Sequence, residues 1–100
     1  MNAPLRLAAV SYLNTKPFLY GLNQVFAPGA LEIELAVPSE CARRFSQGRA
    51  ALALVPVGAL PGLPSASILP GWCIGADGEV DSVFIFSQVP LEQVEALVLD

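Results

Sequence analysis

The stretch LEIELAVPSECARRFSQGRAALALVPV, residues 31–57, decides the fold. Its first part alternates Leu31, Ile33, Leu35 and Val37 with Glu32 and Glu34, the two-residue period of a half-exposed strand near a sheet edge. Pro38 ends that strand. Ser39 is placed to cap a helix, Glu40 suits its first turn, and Cys41, Ala42 and Phe45 fall on one face, so the spacing predicts a helix to about Gln47 that Gly48 closes. ALALVPV, Ala51 to Val57, is a second apolar strand whose pairing must stop at Pro56, which has no N–H to give to a ladder.

Upstream, LRLAAV (Leu5–Val10) is expected to be a strand buried on both faces from Leu7 onward. It runs through SYLNTK into PFLYGLNQVF. Pro17 suits a first helical turn, Phe18, Leu22 and Val25 recur at helical spacing, and Pro28-Gly29 stops the helix. Three strands separated by two helices describe βαβαβ, hence an α/β fold with a parallel sheet. Downstream, GALPGLPSA is rich in turn formers. SILPG and WCIGADG are short apolar pieces among glycine turns. VDSVFIFS (Val80–Ser87) has a strong strand pattern, PLEQV suits one short helical turn, and LVLD (Leu97–Asp100) is expected to begin another strand. No internal repeat is visible.

Composition narrows the function. Apolar residues make up 54% of the 100 positions, enough for a core, whereas only 14% are charged, against roughly 25% in an ordinary soluble domain. The surface is therefore expected to be sparsely charged, or part of it covered. Five basic residues against nine acidic ones, net −4, with no cluster beyond Arg43 and Arg44, argue against a nucleic-acid partner. No apolar run is long enough for a membrane span. The first ten residues have no small-residue cleavage site, so cytoplasm is the expected location. Histidine is absent, which removes His-based triads and most zinc sites. Cys41 and Cys73 have no metal or redox spacing and are expected to be buried free thiols.

Ligands of a parallel sheet bind beyond the C-terminal ends of its strands. Ser11 to Thr15, Pro56 to Gly58 and the segment around Ser82 should meet there. Asn14 either caps the helix that follows or turns its amide to a ligand carboxylate or hydroxyl. The helix start itself favours an anion. Thr15 offers a second hydroxyl, while Ser11 and Tyr12 are less specific. Lys16 either attracts the anion or points into water. Ser82 interrupts an apolar strand, where a hydroxyl needs a partner, backbone or ligand. Gly58 either lets backbone approach a ligand or ends a strand. Glu79 and Asp81 stand as bases or as solvated turn residues. No phosphate loop, dinucleotide fingerprint or nucleophile elbow is present. These residues alone fit a solute-binding domain and a small-molecule enzyme equally.

VSYLNTKPFLYGL, ALALVPVGAL and GEVDSVFIFSQVPLEQVEALVLD together resemble the N-terminal part of chorismate dehydratase, the MqnA family of the futalosine route to menaquinone. The SYLNTKP form is similar to the dehydratase rather than to the sister enzyme acting on cyclic dehypoxanthinylfutalosine. The resemblance implies a two-lobed type II periplasmic-binding-protein-like fold, with residues 1–96 as the first lobe and 97–100 beginning the crossover to a second lobe that is absent or truncated. It implies a lyase that dehydrates the dicarboxylate chorismate to 3-[(1-carboxyvinyl)oxy]benzoate with no metal, nicotinamide or flavin. The family's ligand-binding asparagine falls on Asn14, which then orients substrate or stabilises developing charge, and its serine falls on Ser82. Ser11, Thr15 and Gly58 complete the expected substrate contacts. The base is left open between an Asp or Glu side chain and the substrate's own enolpyruvyl carboxylate. The competing reading is a non-catalytic carboxylate-binding or sensor domain. A third is a partner-requiring fragment, a homodimer included, with apolar surface at Leu97 to Leu99.

Overall fold

The computed structural model describes residues 3–98. Strand β1 (Leu5–Val10) leads through a short 3₁₀ turn (Leu13–Thr15) into helix α1 (Lys16–Val25). Strand β2 (Leu31–Ala36), helix α2 (Pro38–Ser46) and the short strand β3 (Leu52–Ala53) follow. The sheet is parallel, in the order β2-β1-β3. The expected βαβαβ unit is therefore present, with β1 at its centre and β2 at an edge.

Register assigns the two faces. Leu5, Leu7 and Ala9 stand beside Leu31, Ile33 and Leu35, and Leu7 also beside Leu52. Because paired residues of neighbouring strands share a face, that side is wholly apolar. The opposite side carries Arg6, Ala8, Val10, Glu32, Glu34, Ala36 and Ala53. Helix α2 covers this second side. Cys41 is fully buried against Ala8 and Ala50, with Val10, Ala36 and Ala53 around them. The small size of Ala8, Ala36, Ala50 and Ala53 lets the helix sit close to the strands. The chain crosses from β1 to β2 in one direction and back over β1 to β3 in the other. Right-handed crossovers therefore set α1 on the apolar face. Leu22 and Phe26 of α1 line a concavity there with Leu31 and Ile33.

One ion-pair cluster fastens α2. Arg43 donates to both carboxylate oxygens of Glu40, at 2.6 and 2.5 Å, and Arg44 donates to Glu40 at 3.1 Å and to Glu34 of β2 at 2.8 Å. Hydrogen bonding from Arg43, opposed by partial desolvation and reinforced by Arg44, lowers the Glu40 carboxyl from 4.5 to about 2. A carboxylate whose folded pKa lies below its unfolded value stabilises the fold fully above the unfolded pKa. That stability disappears as pH falls through the folded one. Stability should therefore decline between about pH 4.5 and 2. The change should be small, because solvent screens an exposed pair. Urea melts across that range should show a shallower acid slope for Glu40→Gln.

Several local expectations are corrected. Val37, not Ser39, caps α2, because Pro38 takes the first helical position and Ser39 lies inside the first turn. Strand β3 is shorter than Ala51–Val57, and pairing ends before Pro56; the last ladder contact is Leu54 N–H to Ala8 C=O at 3.0 Å. Helix α1 has no fully buried residue: Phe18 and Leu22 are half-buried and Val25 is 78% exposed. Cys41 is buried as expected, but Cys73 is exposed. A 3₁₀ turn forms at Val57–Gly62 and another at Leu91–Gln93, the latter where PLEQV predicted one. Val80–Ser87 forms no strand. Leu97 and Val98 have no regular structure either, and the rest of LVLD lies outside the described residues. Strand propensity expresses itself only where a neighbouring edge supplies hydrogen bonds, and among the described residues these segments have no such edge.

Candidate functional site

The parallel sheet gathers the ends of β1 and β3 at one edge. Ser11 leaves β1 there, and its N–H donates to the Ala36 carbonyl at 2.9 Å, tying the turn to the end of β2. The chain then closes the tight Leu13–Thr15 turn, in which the Thr15 N–H donates to the Tyr12 carbonyl at 3.1 Å. Helix α1 begins directly after it. Asn14 therefore stands on the edge where a parallel sheet receives ligands, exposed, at the start of a ten-residue helix.

Asn14 does not cap α1. The capping position is Thr15, and no side-chain cap hydrogen bond is made there. Pro17 in the first turn lacks an N–H, so this helix start offers fewer backbone donors than most. An anion at this edge must therefore rely more on side-chain donors, for which the Asn14 amide is free. Lys16 beside it is exposed.

Thr15 lies differently. It is fully buried, and its Oγ1 has no hydrogen-bond partner among the described residues. A buried hydroxyl left unpaired costs about 1–3 kcal/mol. Thr15→Val, which keeps the shape and removes the hydroxyl, should raise the urea midpoint by an amount equivalent to about 1 kcal/mol. A lowered midpoint would show that the hydroxyl has a partner in solution.

The remaining candidates are dispersed. Gly58 lies inside the Val57–Gly62 turn that follows β3, exposed, and a Cβ built on it would meet no atom within 4 Å. It shares the sheet edge with Ser11 and Asn14 by topology, because β1 and β3 are parallel neighbours. Ser82 is exposed on an irregular segment outside the sheet, as are Glu79 and Asp81. Glu40 begins α2, just beyond β2, but Arg43 and Arg44 hold it ionised. A carboxylate held near pH 2 is a poor proton acceptor.

Two concavities, of about 330 and 240 Å³, lie at the other end of the sheet. Arg6, Arg49 and Ala51 help line the first, and Leu22, Phe26 and Leu31 the second. Neither includes Ser11, Asn14, Thr15, Gly58 or Ser82. Ser11, Asn14 and Gly58 are exposed at the opposite end. Sequence reasoning did not anticipate the Glu34–Arg44–Glu40–Arg43 cluster. The i, i+3 and i, i+4 spacing of Glu40 with Arg43 and Arg44 was the available signal. Among the described residues no helix is long and apolar enough to cross a membrane.

A family model described as menaquinone biosynthesis matches residues 5–99. No curated protein and no solved structure gives a significant match. The matched span takes in the Asn14 turn, all three strands and the Val80–Ser87 segment, and the chain belongs to the menaquinone biosynthesis family, as its resemblance to chorismate dehydratase implies.

Proposed function

We propose that this chain is the substrate-binding lobe of a lyase that dehydrates chorismate to 3-[(1-carboxyvinyl)oxy]benzoate. The observation that carries the reading is the family match over residues 5–99, within which Asn14 is presented, exposed, at the C-terminal end of the central strand. In the reaction a ring C–H and the ring C–OH bond break, water leaves, and the ring becomes aromatic. The Asn14 amide donates to a substrate oxygen and steadies negative charge that develops as the proton departs. Ser82 donates to a carboxylate once its segment is brought to the same edge, with Ser11 and Gly58 completing the contacts, and the fully buried Thr15, expected among them, is left out.

The charge pattern supports a base carried by the substrate. Glu40 is held ionised by two arginines, and Asp81 and Glu79 lie outside the sheet. Neutral donors bind a carboxylate without protonating it, which leaves the enolpyruvyl carboxylate able to take the ring proton. In the same proposal the α/β unit forms the first lobe of a type II periplasmic-binding-protein-like fold in the cytoplasm. Residues 1–96 make up that lobe, and 97–100 begin the crossover.

Proton NMR of chorismate with the purified chain tests this. New aromatic signals with matching loss of the ring-diene signals are expected. Line broadening without product would support a carboxylate-binding lobe instead. Unchanged spectra from folded protein would count against the catalytic reading of this chain.

A further inference from the structure

Arg6, Gly48, Arg49 and Ala50 line a concavity of about 330 Å³ at the end of the sheet opposite Asn14. That volume lies at the small end of the roughly 300–1,000 Å³ of ligand pockets. Of the chain's four arginines, Arg43 and Arg44 are hydrogen-bonded to Glu40 and Glu34. Arg49 is exposed and makes no ion pair among the described residues. Arg6 has only Glu32, at 3.9 Å, too far for a hydrogen bond. Two weakly engaged guanidinium groups therefore belong to one concavity.

A second observation is independent of charge. Ala50 is 8% exposed, yet its N–H makes no backbone hydrogen bond among the described residues. Its neighbours both donate, Arg49 to the Arg44 carbonyl at 2.9 Å and Ala51 to the Arg6 carbonyl at 3.0 Å. A buried N–H left without a partner is rare and calls for an acceptor. Helix α2 ends close by, where Gly48 takes a φ of +72°. The Gly48 and Arg49 N–H groups occupy the Phe45 and Arg44 carbonyls, so fewer acceptors of that helix end oppose an anion.

We propose that this concavity binds a phosphate group, held by the Arg6 and Arg49 guanidinium groups and the Ala50 N–H. Arginine forks match phosphate oxygens bidentately. A tetrahedral dianion offers oxygens to donors arriving from separate parts of the chain. A planar carboxylate has only two oxygens, which a single fork can occupy. The site lies away from the Asn14 edge and is independent of the dehydratase reading.

Titration of the full chain with inorganic phosphate, followed by amide NMR against chloride at equal ionic strength, tests it. The Ala50 amide should shift and saturate, with smaller changes over Gly48–Ala51. Arg6→Gln and Arg49→Gln should each weaken binding about 10- to 100-fold, the usual effect of losing a charged donor. Their circular dichroism spectra should match the parent's. Arg49→Lys, which keeps the charge but loses the fork, should recover only part of the affinity. Asn14→Ala should bind phosphate as the parent does. Ethyl phosphate separates two sources of the group: tighter binding than inorganic phosphate assigns a phosphomonoester, and otherwise the free ion is the ligand. A shift that never saturates overturns the proposal, as does a saturable shift centred on Asn14. Parent affinity in Arg49→Gln overturns it too, and so does acetate binding as tightly as phosphate.

Discussion

Asn14→Ala should lower turnover of chorismate by about two orders of magnitude, the usual effect of losing one preorganised donor to developing charge. The side chain is exposed, caps nothing and lies at the end of the central strand, so its removal should leave the fold unchanged. Asp81→Asn should lose far less, because Asp81 is exposed on an irregular segment. Single-turnover NMR of both variants, beside matched circular dichroism spectra, separates the two effects. A dead Asp81→Asn protein with intact folding would remove the substrate-carboxylate base from the proposal. Full activity in Asn14→Ala would remove Asn14 from the site.

Leu7→Ala should cost about 2–4 kcal/mol, the transfer free energy of the lost methyl groups plus the cavity they leave. Leu7 is 5% exposed on β1, between Ile33 and Leu52, and among the described residues it is the only buried leucine. The rest of the buried apolar set is Ala8, Ala9, Cys41 and Ala50, none of which can expand into the space. Single domains have only about 5–15 kcal/mol in total, so this loss is a large fraction of the chain's stability. Val25→Ala, at a site 78% exposed, should stay within about 0.5 kcal/mol of the parent chain. Urea unfolding followed by circular dichroism measures both. Equal midpoints would show that the sheet's apolar face is not where the stability resides.

These contrasts follow what was legible before folding. The alternation in LEIELA, the unbroken apolar run in LRLAAV and the positions of Pro17, Pro38, Gly29 and Gly48 express local backbone and solvation preferences. Such preferences act within a few residues, which is why β1, β2, α1 and α2 appear close to their expected bounds. Asn14 was equally legible, because a polar turn between a buried strand and a helix is a local event. Ser39 was misread as a cap because Pro38 beside it competes for the first helical position, and in the fold Pro38 takes it.

The sequence by itself determined that this chain builds a parallel α/β unit, with Asn14 in the turn between its first strand and the helix that follows. Only tertiary structure decided what became of Val25, Cys73, Ser82 and Val80–Ser87. A side chain's burial and a strand's ladder both require a partner that is distant in sequence. For α1 the facing apolar sheet only half supplies it, and for Val80–Ser87 no described part of the chain does. Apolar pattern states a demand for burial, and the surface that meets the demand is a property of the assembled fold.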